Sequence, residues 1–507
     1  MNPDATCSLV WFKRDLRCHD HQPLFEAAQY GPCVALYIYE PELINAEDAD
    51  ASHLEFINGC LAELQAQLRN LGGELITRTG RAHEVLALLH QQVRFDRIYS
   101  HQETGNKLTY DRDRRVAAWA RSNQIPWHQY RQQGVLRGLK DRDGWAALWN
   151  RDMSAAQCPA VKHINAGPQV ESHGIQSPQV FGLAPSGKSH QPPPGERAAH
   201  DTLRSFLHQR GEDYQRAMSS PEAGAASCSR LSPYLAYGAI SMRSVYQTYR
   251  ERIEQLRDAK REGVPNLSQW IRSLSSFNKR LHWNGHFIQR LESDPSIEFH
   301  SLVRAFEGLR DEPSGDGVFE AWVEGRTGFP MVDACMRSLA ATGWLNFRMR
   351  AMVVSFASYH LWLPWRQTGL YLARQFLDYE PGIHYNQLQM QSGVTGINAV
   401  RIYSPTKQAT DHDPQGTFIR RWVPELEAVP VHRLAQPHTL DMIEQSETSF
   451  RVGIDYPLPI VDHAEAVAQA KQRIFAVRRT ADAKEQAARV LERHGSRRRA
   501  PKRRRSR

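Results

Sequence analysis

At 507 residues the chain is too long for a single core, and with 41% hydrophobic content it is too apolar for a disordered one, so two domains of unequal size are expected. No apolar run approaches membrane-span length and the N-terminus lacks a basic stretch leading into an apolar one, which points to a soluble, cytoplasmic protein without a membrane partner. The net charge of +9 is concentrated in residues 496–507, which supply eight positive charges and leave +1 for the body, so a polyanion site on the body must be a local patch.

Residues 8 to 132 alternate short β-rich runs (SLVWF, CVALYIY, ELITR, DRIYS, PWHQY) with helical segments at 54–71, 82–91 and 107–123. This rhythm predicts a doubly wound parallel sheet, whose ligand site lies beyond the carboxyl ends of the strands. The turn after the first strand carries Arg14, Asp15 and Arg17, residues able to bridge loop to helix. Residues 155–196 shift to Pro, Gly, Ser, Gln and His and cannot build a core, so they read as a connection laid over the surface.

From residue 197 the pattern is helical almost throughout. Ser232 followed by Pro233 reads as an N-cap and first helical position, either an ordinary capped helix or an anion site. In WIRSLSSFNKRLHWNGHFIQRLE, Phe277, Arg280, Trp283 and Asn284 share one broad helix face, suited either to core packing or to stacking on a base beside phosphates. Arg348 and Arg350 interrupt an apolar run and are expected on different sides of their helix. Asp378 and Glu380 follow a second helical run, and Arg350 and Asp378 should pair. Seven scattered cysteines contain no C-x-x-C, so no disulfide framework or thiolate metal site is expected. The last helical run, 463–493, should dock on the domain before it.

Three stretches carry a further signal: TGFPMVDACMRSLAATGWLNFRMR, LDYEPGIHYNQLQMQSG and RIYSPTKQATDHDPQGTFIRRWVPEL. Together with the opening SLVWFKRDLRCHDHQPLFEAA they resemble the DNA photolyase and cryptochrome family over residues 7 to 460. The resemblance implies an α/β antenna domain of Rossmann-like type (1–150), a linker (151–198), an all-helical FAD-binding domain (199–460) and a C-terminal helix with a basic tail (461–507). It makes FAD the cofactor, held by Tyr214, Ser229, Leu231, Ser232, Phe277, Trp344, Arg350, Asp378, Tyr379 and Glu380. His384 falls where relatives face flavin N5, which it could protonate; the alternative is that it only bonds a carbonyl. Glu103 and Asn106 become candidate lining for an antenna chromophore of unknown identity. With only Cys228 and Cys335 after residue 200, the iron-sulfur cluster of one branch is not expected, and no metal is assigned.

The implied partner is damaged DNA, single- or double-stranded, met by Arg280, Trp283, Asn284, Phe347 and Arg401. The implied activity is light-driven repair of pyrimidine photoproducts, a lyase reaction, with His384, Trp283, Arg280 and Met390 around the lesion. Several residues depart from the family pattern. Arg280 replaces an acid that touches the lesion, Phe347 and Ala351 replace the paired histidines of (6-4) photolyases, and Met390 replaces a stacking aromatic. Of the three tryptophans that relay electrons only Trp365 remains, with Leu388 at the inner and Glu312 at the outer position. Trp362 with Tyr359, Tyr385 or Trp344 offers another route, and Gln387, Gln389 and Gln391 are amides able to read a ligand edge. The alternative function is a cryptochrome-like blue-light photoreceptor whose C-terminal extension addresses a signalling partner.

Overall fold

Alternation along the first strand sends Leu9 and Trp11 to one side and Val10 and Phe12 to the other, and all four are buried, as a parallel sheet covered on both faces requires. The computed structural model describes residues 7–139, 142–310 and 317–495. Its sheet has five strands, β1 Ser8–Phe12, β2 Cys33–Tyr39, β3 Leu75–Thr79, β4 Arg97–His101 and β5 Trp127–Tyr130, in the order β3-β2-β1-β4-β5 with every pairing parallel. Each predicted β-rich run becomes a strand, because such short apolar segments bounded by turn residues can bury both faces only in a sheet. The helices Ala51–Asn70, Ala82–Val93 and Lys107–Ser122 are the predicted crossovers.

The core beneath one sheet face does not stop at the sheet. Val10, Phe12 and Leu61 pack in one cluster with Tyr234, Val245, Leu274 and Phe277 from the helical half. A second and larger helical core gathers Trp322, Met336, Phe356 and Tyr385, and takes in Ala470, Ile474, Ala483 and Val490. The last four come from the helices His463–Arg479 and Ala481–His494, so the C-terminal run docks as its sequence suggests.

The Pro- and Gly-rich connection follows the sheet edge. Ala166 bridges to Cys33, the His173 amide donates to the Thr77 carbonyl at 3.0 Å, and the Ser189 amide reaches the Ala341 carbonyl at 3.0 Å. The turn after β1 fastens the two halves. Arg17 donates to the carbonyls of His19, Asp20 and Gly238, and Arg14 Nη2 donates to the Tyr379 carbonyl at 2.7 Å. Asp15 Oδ2 accepts from His21 Nε2 and His101 Nδ1 at 3.0 and 2.8 Å, and the turn is thereby rigid. No helix among the described residues is long and apolar enough to cross a membrane.

Candidate functional site

The helical half encloses a cavity of about 420 Å³, the size of a small-molecule site. Two facing helices form its walls. Ser268–Ser293 contributes Arg280, Trp283 and Asn284, and Pro381–Ser392 contributes His384, Gln387, Leu388 and Gln391. The floor comes from Ser229, Arg230 and Ser232, and from the helix Phe347–Ser355 with Arg348 and Arg350.

The predicted pair forms: Arg350 Nη1 and Nη2 donate to Asp378 Oδ1 and Oδ2 at 2.9 and 2.8 Å, a bidentate fork. Burial alone would raise the Asp378 carboxyl, but the Arg350 guanidinium, a Ser232 hydrogen bond and the nearby Arg230 outweigh it and hold the carboxyl below its usual range. Arg348 and Arg350, expected on different sides, both border the cavity, because the cavity wraps the first turn of their helix rather than one stripe of it.

The Ser232 helix differs from its expected form. It spans only Ser232–Ala236, with Ser232 already helical and Leu231 at the cap position, and the Ser232 hydroxyl serves Asp378. Five residues sum few peptide dipoles, so anion attraction here rests on side chains. Arg230 supplies it: this residue, not singled out from sequence, lies in the left-handed region (φ 60°) and lays its guanidinium 3.9 Å from the Trp344 ring centroid beside the cavity. No sequence signal marks an arginine for that conformation.

Four guanidiniums around the cavity, those of Arg230, Arg280, Arg348 and Arg401, form no ion pair among the described residues. Three buried acceptors lining the same cavity, Asn284 Oδ1, Asn346 Oδ1 and Gln387 Oε1, lack a donor among the described residues. Unpaired cations with orphaned acceptors fit a ligand that brings phosphates and ring N–H groups, and FAD is such a molecule.

His384 sits on the cavity wall with Nε2 2.8 Å from the Gly369 carbonyl. A carbonyl can only accept, so Nε2 carries the hydrogen and Nδ1 is an acceptor. Burial against the protein side pulls the imidazole down to about 4. At neutral pH the ring is therefore neutral and bonded to a carbonyl; in this state its free nitrogen accepts a proton rather than supplying one. Glu380, beside it, is pushed up to about 7 by burial, against the opposing charge of Arg14 at 3.7 Å.

The other expected site residues divide between cavity and core. Tyr214, Ser229, Trp344 and Glu380 line the cavity, while Leu231 and Phe277 are packed in the core behind it. Met390 is partly buried and outside the cavity lining. Gln387 and Gln391 line it, but Gln389 turns away and donates to the carbonyls of Ile297 and His300. At the rim, Trp283 and Phe347 are 49% and 45% exposed, and the Arg280 guanidinium stands 4.7 and 5.3 Å from their ring centroids. Trp365 is buried and donates to Ser301 Oγ at 3.2 Å. Trp362 lies between the guanidiniums of Arg310 and Arg473, at 4.7 and 5.1 Å, a setting that disfavours a radical cation. Glu312 is outside the described residues.

Tyr379 faces elsewhere. It borders a second cavity of about 160 Å³ at the carboxyl ends of β1 and β2, together with Glu103 and Asn106. There Glu103 is paired with Arg112, and Asn106 caps the Lys107–Ser122 helix while donating to Asp48 at 3.0 Å.

Two family models match the chain: DNA photolyase over residues 8–139, and the FAD binding domain of DNA photolyase over residues 277–476, together more than half its length. A cryptochrome DASH from Gloeobacter violaceus is 28% identical over 91% of this chain and 94% of its own. A deoxyribodipyrimidine photo-lyase from Alkalihalophilus pseudofirmus is 27% identical over 92% and 97%. The crystal structure of a class III photolyase from Agrobacterium tumefaciens is similar with a TM-score of 0.80 and 25% identity, covering 95% of this chain and 99% of that one. With the sheet, the helical half and the cation-lined cavity already in place, the chain belongs to the photolyase and cryptochrome family and carries its FAD-binding domain.

Proposed function

We propose that the protein repairs UV-induced pyrimidine photoproducts in DNA, using blue light and FAD held in the central cavity. The observation that carries this reading is the rim: two half-exposed aromatic rings flank an arginine that has no acidic partner among the described residues, beside the central cavity. Rings in that position suit stacking on an extruded base, and Arg280, Arg348 and Arg401 suit the phosphates on either side. Arg230 and Ser229 would hold the cofactor diphosphate, and the Arg350–Asp378 fork, Glu380 and His384 would orient its ring system. Reduced FAD, once bound, supplies the photoexcited electron that splits the lesion. Neutral His384, accepting at Nδ1, would retain a hydrogen on a neighbouring donor rather than contribute one. The smaller cavity at the strand ends is the candidate seat of an antenna chromophore, lined by Glu103 and Asn106.

A photoreceptor role is favoured by one feature. His463 of the C-terminal helix lies with Nδ1 2.9 Å from His360 Nε2, two residues before Trp362, so the extension touches the aromatic segment of the helical domain. The two readings separate in a repair assay with the flavin chemically reduced beforehand. Oligonucleotides carrying a cyclobutane dimer or a (6-4) product, single- and double-stranded, are illuminated and the products separated by chromatography. Repair of either lesion is the expected outcome; flavin-loaded, photoactive protein that repairs none of them transfers the assignment to the photoreceptor.

A further inference from the structure

The inner position of the tryptophan relay is Leu388, a saturated side chain without an accessible radical state, and among the described residues Trp365 makes no ring-to-ring contact. A different aromatic chain leaves the central cavity. His384 on the cavity wall has its ring centroid 5.1 Å from that of Tyr379 and 5.4 Å from that of Tyr385, in both cases edge to face. The Tyr379 hydroxyl donates to Asp48 Oδ2 at 2.6 Å and lies 3.3 Å from the Tyr385 hydroxyl. All three groups, Asp48, Tyr379 and Tyr385, are buried. Beyond Tyr379 the His53 ring stacks at 6.1 Å and 16°.

We infer that Tyr379, with Asp48 as its proton acceptor, is the electron donor that reduces the flavin of the central cavity under blue light. This rests on the reading of that cavity as the FAD site. A buried phenol is a poor one-electron donor while its proton has nowhere to go, since loss of the electron alone leaves a cation in a low-dielectric interior. A carboxylate at 2.6 Å removes that obstacle. The light-excited oxidised flavin gains one electron, Tyr379 loses one, and the phenolic O–H bond breaks as its proton passes to Asp48 Oδ2. The donor pair gives up one negative charge and forms no buried cation: a phenol and a carboxylate, net −1, become a neutral phenoxyl radical and a neutral carboxylic acid. A soluble thiol then returns an electron to the radical and Asp48 returns the proton. Among the described residues Tyr385 has no carboxylate partner at that distance, which makes it the second member of the pair rather than the first. The arrangement joins an Asp48 loop of the α/β half to a tyrosine of the helical half, so it exists only in the assembled molecule.

The test is photoreduction of the purified, FAD-loaded full-length protein in the presence of a thiol, followed by flavin absorbance, with radical detection by electron paramagnetic resonance. Tyr379→Phe keeps the ring and removes the hydroxyl, and Asp48→Asn keeps the shape and removes the base. Each should slow photoreduction by about tenfold or more, a modest fraction of what a positioned proton acceptor commonly contributes. The wild type should show a neutral tyrosyl radical and a solvent deuterium isotope effect, both lost in Tyr379→Phe. Trp365→Phe should leave the rate within about twofold. Flavin content and melting temperature, compared across the variants, identify any that fail to fold; Tyr385→Phe, which leaves the Asp48 bond intact, provides a further comparison and should retain the radical. Wild-type photoreduction in Tyr379→Phe with full flavin occupancy would overturn the inference and leave the cavity assignment standing. Protein that binds no FAD at all would instead overturn the assignment on which it rests.

Discussion

Glu380 is the side chain whose ionisation the fold resists most visibly at the central cavity. It is buried, its Oε1 accepts the Gly382 amide at the head of the Pro381–Ser392 helix, and Arg14 is near but not in hydrogen-bond contact. Burial pushes its carboxyl to about 7 from an ordinary 4.5. A folded value above the unfolded one means that the protonated form is favoured by folding. The associated stability is complete below about pH 4.5 and is lost as pH rises through about 7, a change of about 3 kcal/mol. Glu298 moves in the same direction and His384 in the opposite one, so total stability does not isolate the effect. The difference between Glu380→Gln and wild type does. In urea unfolding the variant should gain about 3 kcal/mol relative to wild type between pH 4.5 and pH 8. A pH-independent difference would show that Glu380 is ionised without cost.

At the scale of elements, the cavity depends on how closely two helices approach. A Cβ on Gly382 would stand 2.6 Å from the Ile288 Cα, a backbone atom that cannot yield without moving the Ser268–Ser293 helix. Gly382→Ala should therefore destabilise by about 1–3 kcal/mol and separate the wall carrying Trp283 from the wall carrying His384. Lower FAD occupancy with a lower melting temperature is expected; a variant with wild-type occupancy would mean that the crossing tolerates the shift. The same helix shows where sequence legibility ended. The strands were readable because short apolar runs between turn residues have one common destiny, and Arg350 with Asp378 because two charges in apolar surroundings need each other. The Pro381–Ser392 helix carries no apolar stripe. Asn386 and Gln389 are fully buried in it, bonded to the carbonyls of Phe287, Gly382, Ile297 and His300, so polar letters there report neither solvent nor ligand. Likewise Tyr379 and Glu380 are adjacent in sequence but open onto different cavities, a division made by the extended turn between two helices rather than by residue type.

The whole molecule is closed by the turn after β1. Gly238 approaches so closely that a Cβ would meet the Arg14 carbonyl at 2.2 Å, and its φ of 67° is one that glycine adopts readily. Above it Arg14 spans the boundary, donating to the Tyr379 carbonyl and facing Glu380, while His53 Nε2 lies 3.0 Å from the Phe376 carbonyl and Arg374 Nη1 donates to the Glu47 carbonyl at 2.6 Å. Arg14 is thus the one charge from the strand-end turn that reaches the acid of the central cavity among the described ion pairs. Replacing it with methionine keeps the stem's packing but strands a buried carboxyl and a carbonyl. The expected loss is about 3 kcal/mol, the range for removing one partner of a buried pair, and Glu380 should rise further above 7. If the loss comes from the stranded acid, Arg14→Met combined with Glu380→Gln should recover more than half of it, and the two changes will not add. Additive effects would instead assign the loss to the Arg14 bond to the Tyr379 carbonyl, with the charge pair a bystander. In either case the central cavity and the sheet respond together, because the residue that holds the acid belongs to the strand-end turn and the acid belongs to the cavity wall.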